Sequence, residues 1–299
     1  MYKRQASINT PADKAALQKV ATVLSTTPGI VGVSPVITSP DGSVGLLQVI
    51  PTTGPQDIKT SQLIKHLRST VIPSALAGSS THVYVGGLTA IFDDFATVIG
   101  GKLPLFIGVI ILLGCLLLLL AFRSLVIPLT AGIMNLFAAG ASFGIVVAMF
   151  QWGWGQKLLN IGSGPIEAFL PVIMLAILFG LSMDYQVFLV SRMHEEWVHT
   201  KENGKAVIVG QTETGRIITS AALIMITVFA SFVFGGEKVI KEFGIGLASA
   251  VFIDAFVLRT ILVPALMHLF GKSNWWIPTW LDKRLPHLSV EPAEPGANL

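Results

Sequence analysis

The chain has 299 residues, of which 52% are hydrophobic and only 12% charged, with a formal net charge of +3 and a mean hydropathy of +0.71. Soluble domains carry about 25% charged residues, so this composition excludes an ordinary soluble enzyme and indicates a polytopic membrane protein. The basic excess reads as anchoring charge in cytoplasmic loops, not as a nucleic-acid surface, and the single cysteine, Cys115, excludes an internal disulfide or a thiolate metal site.

Residues 6–100 are of mixed composition. PADKAALQKVATVLST has helical spacing in Ala15, Ala16, Val20, Val23 and Leu24, and Thr10-Pro11 suits its start. Pro28-Gly29 breaks the helix. IVGVSPVI and SVGLLQVIP read as strands around TSPDGS, whose Asp-Gly is a hairpin signal. A second amphipathic helix, DIKTSQLIKHLRSTVIP, and a strand in HVYVGG follow. The order α-β-β-α-β is a ferredoxin-like split unit lacking its first strand. That strand is expected upstream. No secretory signal is visible, because the first strongly apolar run begins near Leu103. The expectation is therefore a piece of a longer protein with at least one earlier membrane helix.

Residues 103–270 form the membrane domain, with expected spans at 103–122, 125–150, 166–190, 217–234 and 243–270. Roughly 20 apolar residues cross a core ~30 Å thick. Arg123-Ser124 alone joins the first two, forcing an antiparallel pair. Pro128, Pro171 and Pro264 fall inside spans, which membrane helices tolerate. With 6–100 outside the cell, the inside loops carry Arg123, Arg192, Lys201, Lys205, Arg216, Lys272, Lys283 and Arg284. The outside loops hold only Lys157, Lys238 and Lys241, a bias that favours this orientation in the cell membrane with a cytoplasmic C-terminus. Trp152 and Trp154 then mark the outer interface, and Trp275, Trp276 and Trp280 the inner one. SRMHEEWVHTKENGKAV, between spans three and four, reads as a cytoplasmic surface helix and turn. His194 and His199 are five apart and so on different helix faces, which argues against a metal site. Residues 271–299 form a cytoplasmic tail whose end, SVEPAEPGANL, has the composition of a disordered segment.

Three ionisable residues fall deep in spans: Asp184, Asp254 and Arg259. A carboxylate at the bilayer centre costs at least ~2.5 kcal/mol on insertion scales, so each is a functional candidate. Asp184 lies eight residues from Arg192, ~12 Å at 1.5 Å per residue, and Asp254 eleven past Phe243, ~16 Å. Both therefore sit near mid-depth, where their helices could present them to one buried site. Arg259, five residues beyond Asp254, is about 140° around an α-helix and is not expected to share its face. Tyr185 places a phenol beside Asp184, and Gly180 and Ser182 leave room for a close helix or water. A carboxylate able to take and release a proton there is what a relay coupled to transport requires.

FGLSMDYQVFLVSRMHEEW, and GIGLASAVFIDAFVLRTILVPALMHLFGKSNWWIPTWLDKRLPHL near the end of the chain, resemble the MmpL-type transporters of the resistance-nodulation-division (RND) superfamily. Members have two repeats, each with one membrane helix, a porter domain and five further helices. This chain resembles the porter remnant and last five helices of the second repeat. The resemblance implies a polytopic α-helical membrane protein of five transmembrane helices with an N-terminal α+β ferredoxin-like porter subdomain. It implies proton-motive-force-driven export of lipids or other hydrophobic molecules, with membrane lipids and a missing N-terminal repeat or partner half as partners. By motif position the proton relay is Asp184 with Tyr185, the aromatic behind it is Phe188, and the charged pair of the last helix is Asp254 and Arg259. The family's relay uses two Asp–Tyr pairs and this chain carries one, so it is not expected to transport alone.

No enzymatic activity, cofactor or metal is expected. No GxxxxGK[ST] is present, and the order Asp184-Tyr185 differs from the YD and GxGD pair of intramembrane aspartyl proteases. The alternative is a non-transporting RND-like module, either a protein-export accessory or a sterol-sensing regulator.

Overall fold

The computed structural model describes residues 11–42, 44–55, 57–79, 81–155, 157 and 164–285; the expectation for the SVEPAEPGANL tail lies outside them. The chain divides into two compact units that meet between Val98 and Ile99.

In the first unit, α1 (Pro11–Ser25) buries Val20 and Leu24. The expected hairpin forms, but as two short antiparallel pieces. β1 (Ile30–Val33) pairs with β4 (Val49–Pro51), and β2 (Ile37–Thr38) with β3 (Gly45–Leu46). Pro35, which has no N–H to give the ladder, lies at the break between them. The second helix is α2 (Ile58–His66), capped by the Asp57 carboxylate accepting from Lys59 N. It runs through a π-helical turn, Leu67–Val71, into α3 (Ile72–Ala75). Val20, Leu24, Leu67, Ile72 and Ala75 make the core.

The strand expected in HVYVGG does not form, so the ferredoxin-like order is only weakly present. Residues 81–86 pair with no strand among the described residues. Val83 and Val85 still pack on the core. The Val85 carbonyl instead accepts from Arg68 Nη2 at 2.7 Å, and the Arg68 guanidinium also pairs with Asp94.

Five helices among the described residues are long and apolar enough to cross a membrane: Leu88–Phe122, Val126–Gln151, Leu170–Thr200, Asn203–Phe234 and Lys238–Trp275. Their α-helical parts are α4 (Leu88–Phe122), α5 (Val126–Val146), α6 (Leu170–Thr200), α7 (Asn203–Ser231), α8 (Lys238–Phe252) and α9 (Val263–Phe270). The α4–α5 connection is as tight as its two residues require. Arg123 adopts φ 47, a left-handed conformation uncommon outside glycine. Its guanidinium is held by Asp282 Oδ1 at 2.6 Å and the Asp282 carbonyl at 2.6 Å.

The third and fourth helices are longer than expected at their shared end. SRMHEEWVHTKENGKAV is no separate surface helix; it is the end of α6, a turn and the start of α7. Lys201, at φ 56, terminates α6 by donating its N–H to the Trp197 carbonyl at 2.9 Å. Lys205 returns to Glu196 at 3.0 Å. Charge at this end therefore laces two continuing helices together. Gly210 allows them to touch: a Cβ there would lie 2.4 Å from Met193 Cγ and 3.0 Å from the Met193 nitrogen.

A polar clasp closes the same end of the bundle. Asn203 Nδ2 and Asn274 Nδ2 both donate to the Met267 carbonyl, at 2.8 and 2.6 Å. Trp275 Nε1 donates to Asn203 Oδ1 at 3.0 Å, and its ring stacks on Trp197. At the opposite end Glu242 is fully buried rather than solvated in a loop. It lies 3.3 Å from Lys238 Nζ, which also donates to the Pro165 carbonyl at 2.7 Å, and it accepts from Glu167 N at 3.4 Å.

Candidate functional site

α6 turns Leu178, Ser182, Gln186, Leu189 and Met193 inward at helical spacing. Asp184 is on the other side. It is exposed, on one stripe with the small residues Ala176 and Gly180, and among the described residues it makes no hydrogen bond or ion pair. Tyr185 and Phe188 are half-buried against the cluster formed by Leu189, Met193, Ile218, Ala222, Val251 and Ala255.

Asp254 and Arg259 are 4% and 2% exposed, and they form an ion pair. This corrects the expectation that they occupy different faces. Residues 253–262 are π-helical, and an i→i+5 hydrogen-bond pattern stacks residues five apart instead of turning them about 140°. The backbone confirms the register, with Val263 N–H bonded to the Leu258 carbonyl. Thr260 Oγ1 likewise donates to the Ala255 carbonyl at 2.9 Å. Pro264 follows at once, and its ring would crowd the carbonyl four residues back in an α-helix. The turn Leu67–Val71 has the same setting before Pro73.

The guanidinium is well satisfied. Arg259 Nε donates to Asp254 Oδ2 at 2.9 Å, and Nη2 reaches Asp254 Oδ1 at 3.3 Å. Nη2 also donates to Ser182 Oγ at 2.7 Å and to the Ser182 carbonyl, while Nη1 reaches Gln186 Oε1 at 3.3 Å. The Arg259 carbon Cζ is 5.5 Å from the centre of the Tyr185 ring, a cation–π distance. Ion pairs survive burial only with such complete hydrogen bonding.

Asn135 of α5 completes the cluster. Ser182 Oγ has one proton and two acceptor neighbours, Asn135 Oδ1 and Asp254 Oδ1, the latter at 3.0 Å. Asn135 Nδ2 is buried without a partner. Turning the amide end for end lets Asn135 donate to Ser182 and frees the serine proton for Asp254, and the buried atom without a partner is then the amide oxygen.

The structure thus gathers Asp254, Arg259 and Tyr185 of the expected residues and leaves Asp184 outside. Depth agrees with expectation. Asp254 meets α6 at Ser182, two residues or ~3 Å from Asp184. Direction does not, because residues two apart on an α-helix point about 200° from each other. Ser182, Gln186 and Asn135 are the network members whose roles the sequence reading missed. Their signal was available, as neutral amides and a hydroxyl inside otherwise apolar spans.

A bundle of membrane-length helices around a buried ion pair defines a polytopic membrane protein with a polar centre. The chain belongs to the MMPL family, whose model matches residues 2–288. The mycolic acid-containing lipids exporter MmpL11 of Mycolicibacterium smegmatis is 34% identical over 290 residues, covering 97% of this chain and 30% of that protein. The heme uptake protein MmpL11 of Mycobacterium tuberculosis is 37% identical over 272 residues, 91% of this chain and 28% of its own length. The trehalose monomycolate exporter MmpL3 of M. smegmatis is 39% identical over 201 residues, 67% of this chain and 20% of its own. The chain therefore spans less than a third of the length of these relatives.

Proposed function

We propose that this chain forms part of a proton-motive-force-driven exporter of lipids or other hydrophobic molecules, with Asp184 and Tyr185 as its proton relay. The observation that carries this reading is the lone Asp184 carboxylate, exposed beside Ala176 and Gly180 in the middle of a spanning helix. Such a carboxylate is too costly to face lipid, and small residues on its stripe suit close packing of another helix. The N-terminal repeat of the same transporter, or a partner half, is the element that covers it. Two relatives named as lipid exporters support the cargo class. The first unit is placed outside the cell membrane and the C-terminus in the cytoplasm, on the loop-charge bias.

The test is Asp184→Asn in the complete transporter. Export of a labelled lipid should be lost while expression and membrane insertion stay normal. Normal export by that variant would overturn the relay. The M. tuberculosis relative is named for heme uptake, so entry of labelled heme is the second assay for the same variant.

A further inference from the structure

A π-helix is rarely longer than one turn and is concentrated at functional sites. The ten residues Ile253–Leu262 therefore need something to hold them in that register. Two contributions are visible. Pro264 disfavours the α-helical alternative through its ring, and the Asp254–Arg259 pair rewards the π register, since an α-helix would carry its two members about 140° apart. Arg259 in turn grips α6 at Ser182, Tyr185 and Gln186, residues that bracket Asp184 in sequence.

We propose that residues 253–262 are a register switch set by the charge of Asp254. With Asp254 ionised, the ion pair holds the π-helix and Arg259 holds α6. A proton added to the Asp254 carboxylate removes the attraction, the segment relaxes to an α-helix, and Arg259 turns away from α6. The same ten residues wound as α-helix make nearly three turns instead of about two, so the span lengthens by roughly 3 Å. Of the elements packed around the pair, α6 presents Tyr185, Ser182 and Gln186, α5 presents Asn135, and α7 presents the apolar Ile218 and Ala222 to the adjoining core. Asp184 is on the far face of α6, and Glu213 and Arg216 are on the exposed face of α7. Among the described residues, Asp254 is thus the one acid within the cluster.

The switch is independent of the role given to Asp184, because its readout is a length and not export. The full chain, with Cys115→Ala, Ile240→Cys and Leu269→Cys, is spin-labelled at the two exposed positions and placed in phospholipid nanodiscs. Pulsed electron resonance then measures the separation across the π segment. Asp254→Asn, which mimics the neutral acid, should lengthen it by roughly 3 Å. An unchanged separation in a folded Asp254→Asn protein overturns the switch. Should that variant fail to fold, Asp254→Leu with Arg259→Met decides in the same way. It removes the ion pair without leaving a buried charge unpaired, so lengthening by roughly 3 Å supports the switch and an unchanged separation overturns it.

Discussion

Asp184 and Asp254 lie within ~3 Å of the same depth along the bundle, yet their surroundings are opposite. Asp254 is enclosed, paired with Arg259 and hydrogen-bonded by Ser182. Asp184 faces outward with neither cation nor donor among the described residues. One carboxylate is built into this chain's own packing, whereas the other is presented to whatever lies alongside. The contrast separates two reasons for placing an acid in a membrane span: holding helices together, and meeting an external partner.

The largest expected effect comes from breaking the enclosed pair. Arg259→Met leaves Asp254 buried beside Ser182 with no cation, and removing one partner of a buried pair costs about 3–5 kcal/mol. Reversible unfolding of the chain in mixed detergent micelles would measure this. Replacing both partners, Asp254→Leu with Arg259→Met, should recover most of the loss, since apolar replacement of a whole buried pair is often neutral or stabilising. A loss below about 1 kcal/mol for Arg259→Met would mean that Asp254 has another partner and that the contrast with Asp184 is false.

The next effect is smaller and concerns how α6 is held so that Asp184 faces away. Gly210 of α7 lies against Met193, and the obstruction to a Cβ includes the Met193 backbone nitrogen at 3.0 Å as well as its side chain. Gly210→Ala should therefore cost about 1–3 kcal/mol, as overpacking does. Gly215→Ala on the same helix meets nothing within 4 Å. It should change stability by less than about 0.5 kcal/mol. Equal effects at the two glycines in the same unfolding assay would show that the α6–α7 contact is loose.

Much of this arrangement was legible from residue type and spacing. Apolar length marked the five spans, and counting residues to the nearest charges put the two acids at one depth. What failed was direction. α-Helical geometry separates Asp254 from Arg259 by about 140°, and nothing in FIDAFVLRTIL signals a π-helix by composition; Pro264 is the single hint, and proline is common in spans. Span ends were misjudged for a related reason. The charges from Arg192 to Lys205 read as a separate surface helix and turn, but pairing such as Glu196 with Lys205 allows the spanning helices to continue through them. In the first unit, HVYVGG has the β-branched and aromatic content of a strand, yet a strand also needs an edge to pair with. That requirement is a property of the whole sheet, not of six residues.

The smallest expected effect is the most discriminating. Asp184→Leu removes a charge that makes no hydrogen bond or ion pair among the described residues, so no native interaction is lost. Solvent-exposed substitutions of this kind change stability by about 0.5 kcal/mol or less. In lipid the sign should favour the variant, because an aspartate at the centre of a spanning helix costs ~2.5–3.5 kcal/mol relative to apolar residues on insertion scales. The chain carrying Asp184→Leu should therefore unfold at the same or higher detergent strength than the natural one. A clear destabilisation would place Asp184 among the residues that hold this bundle together, and the external partner would no longer be needed to explain it. Unchanged or raised stability, beside the large loss for Arg259→Met, would leave Asp184 as a group retained for something other than the folding of this chain.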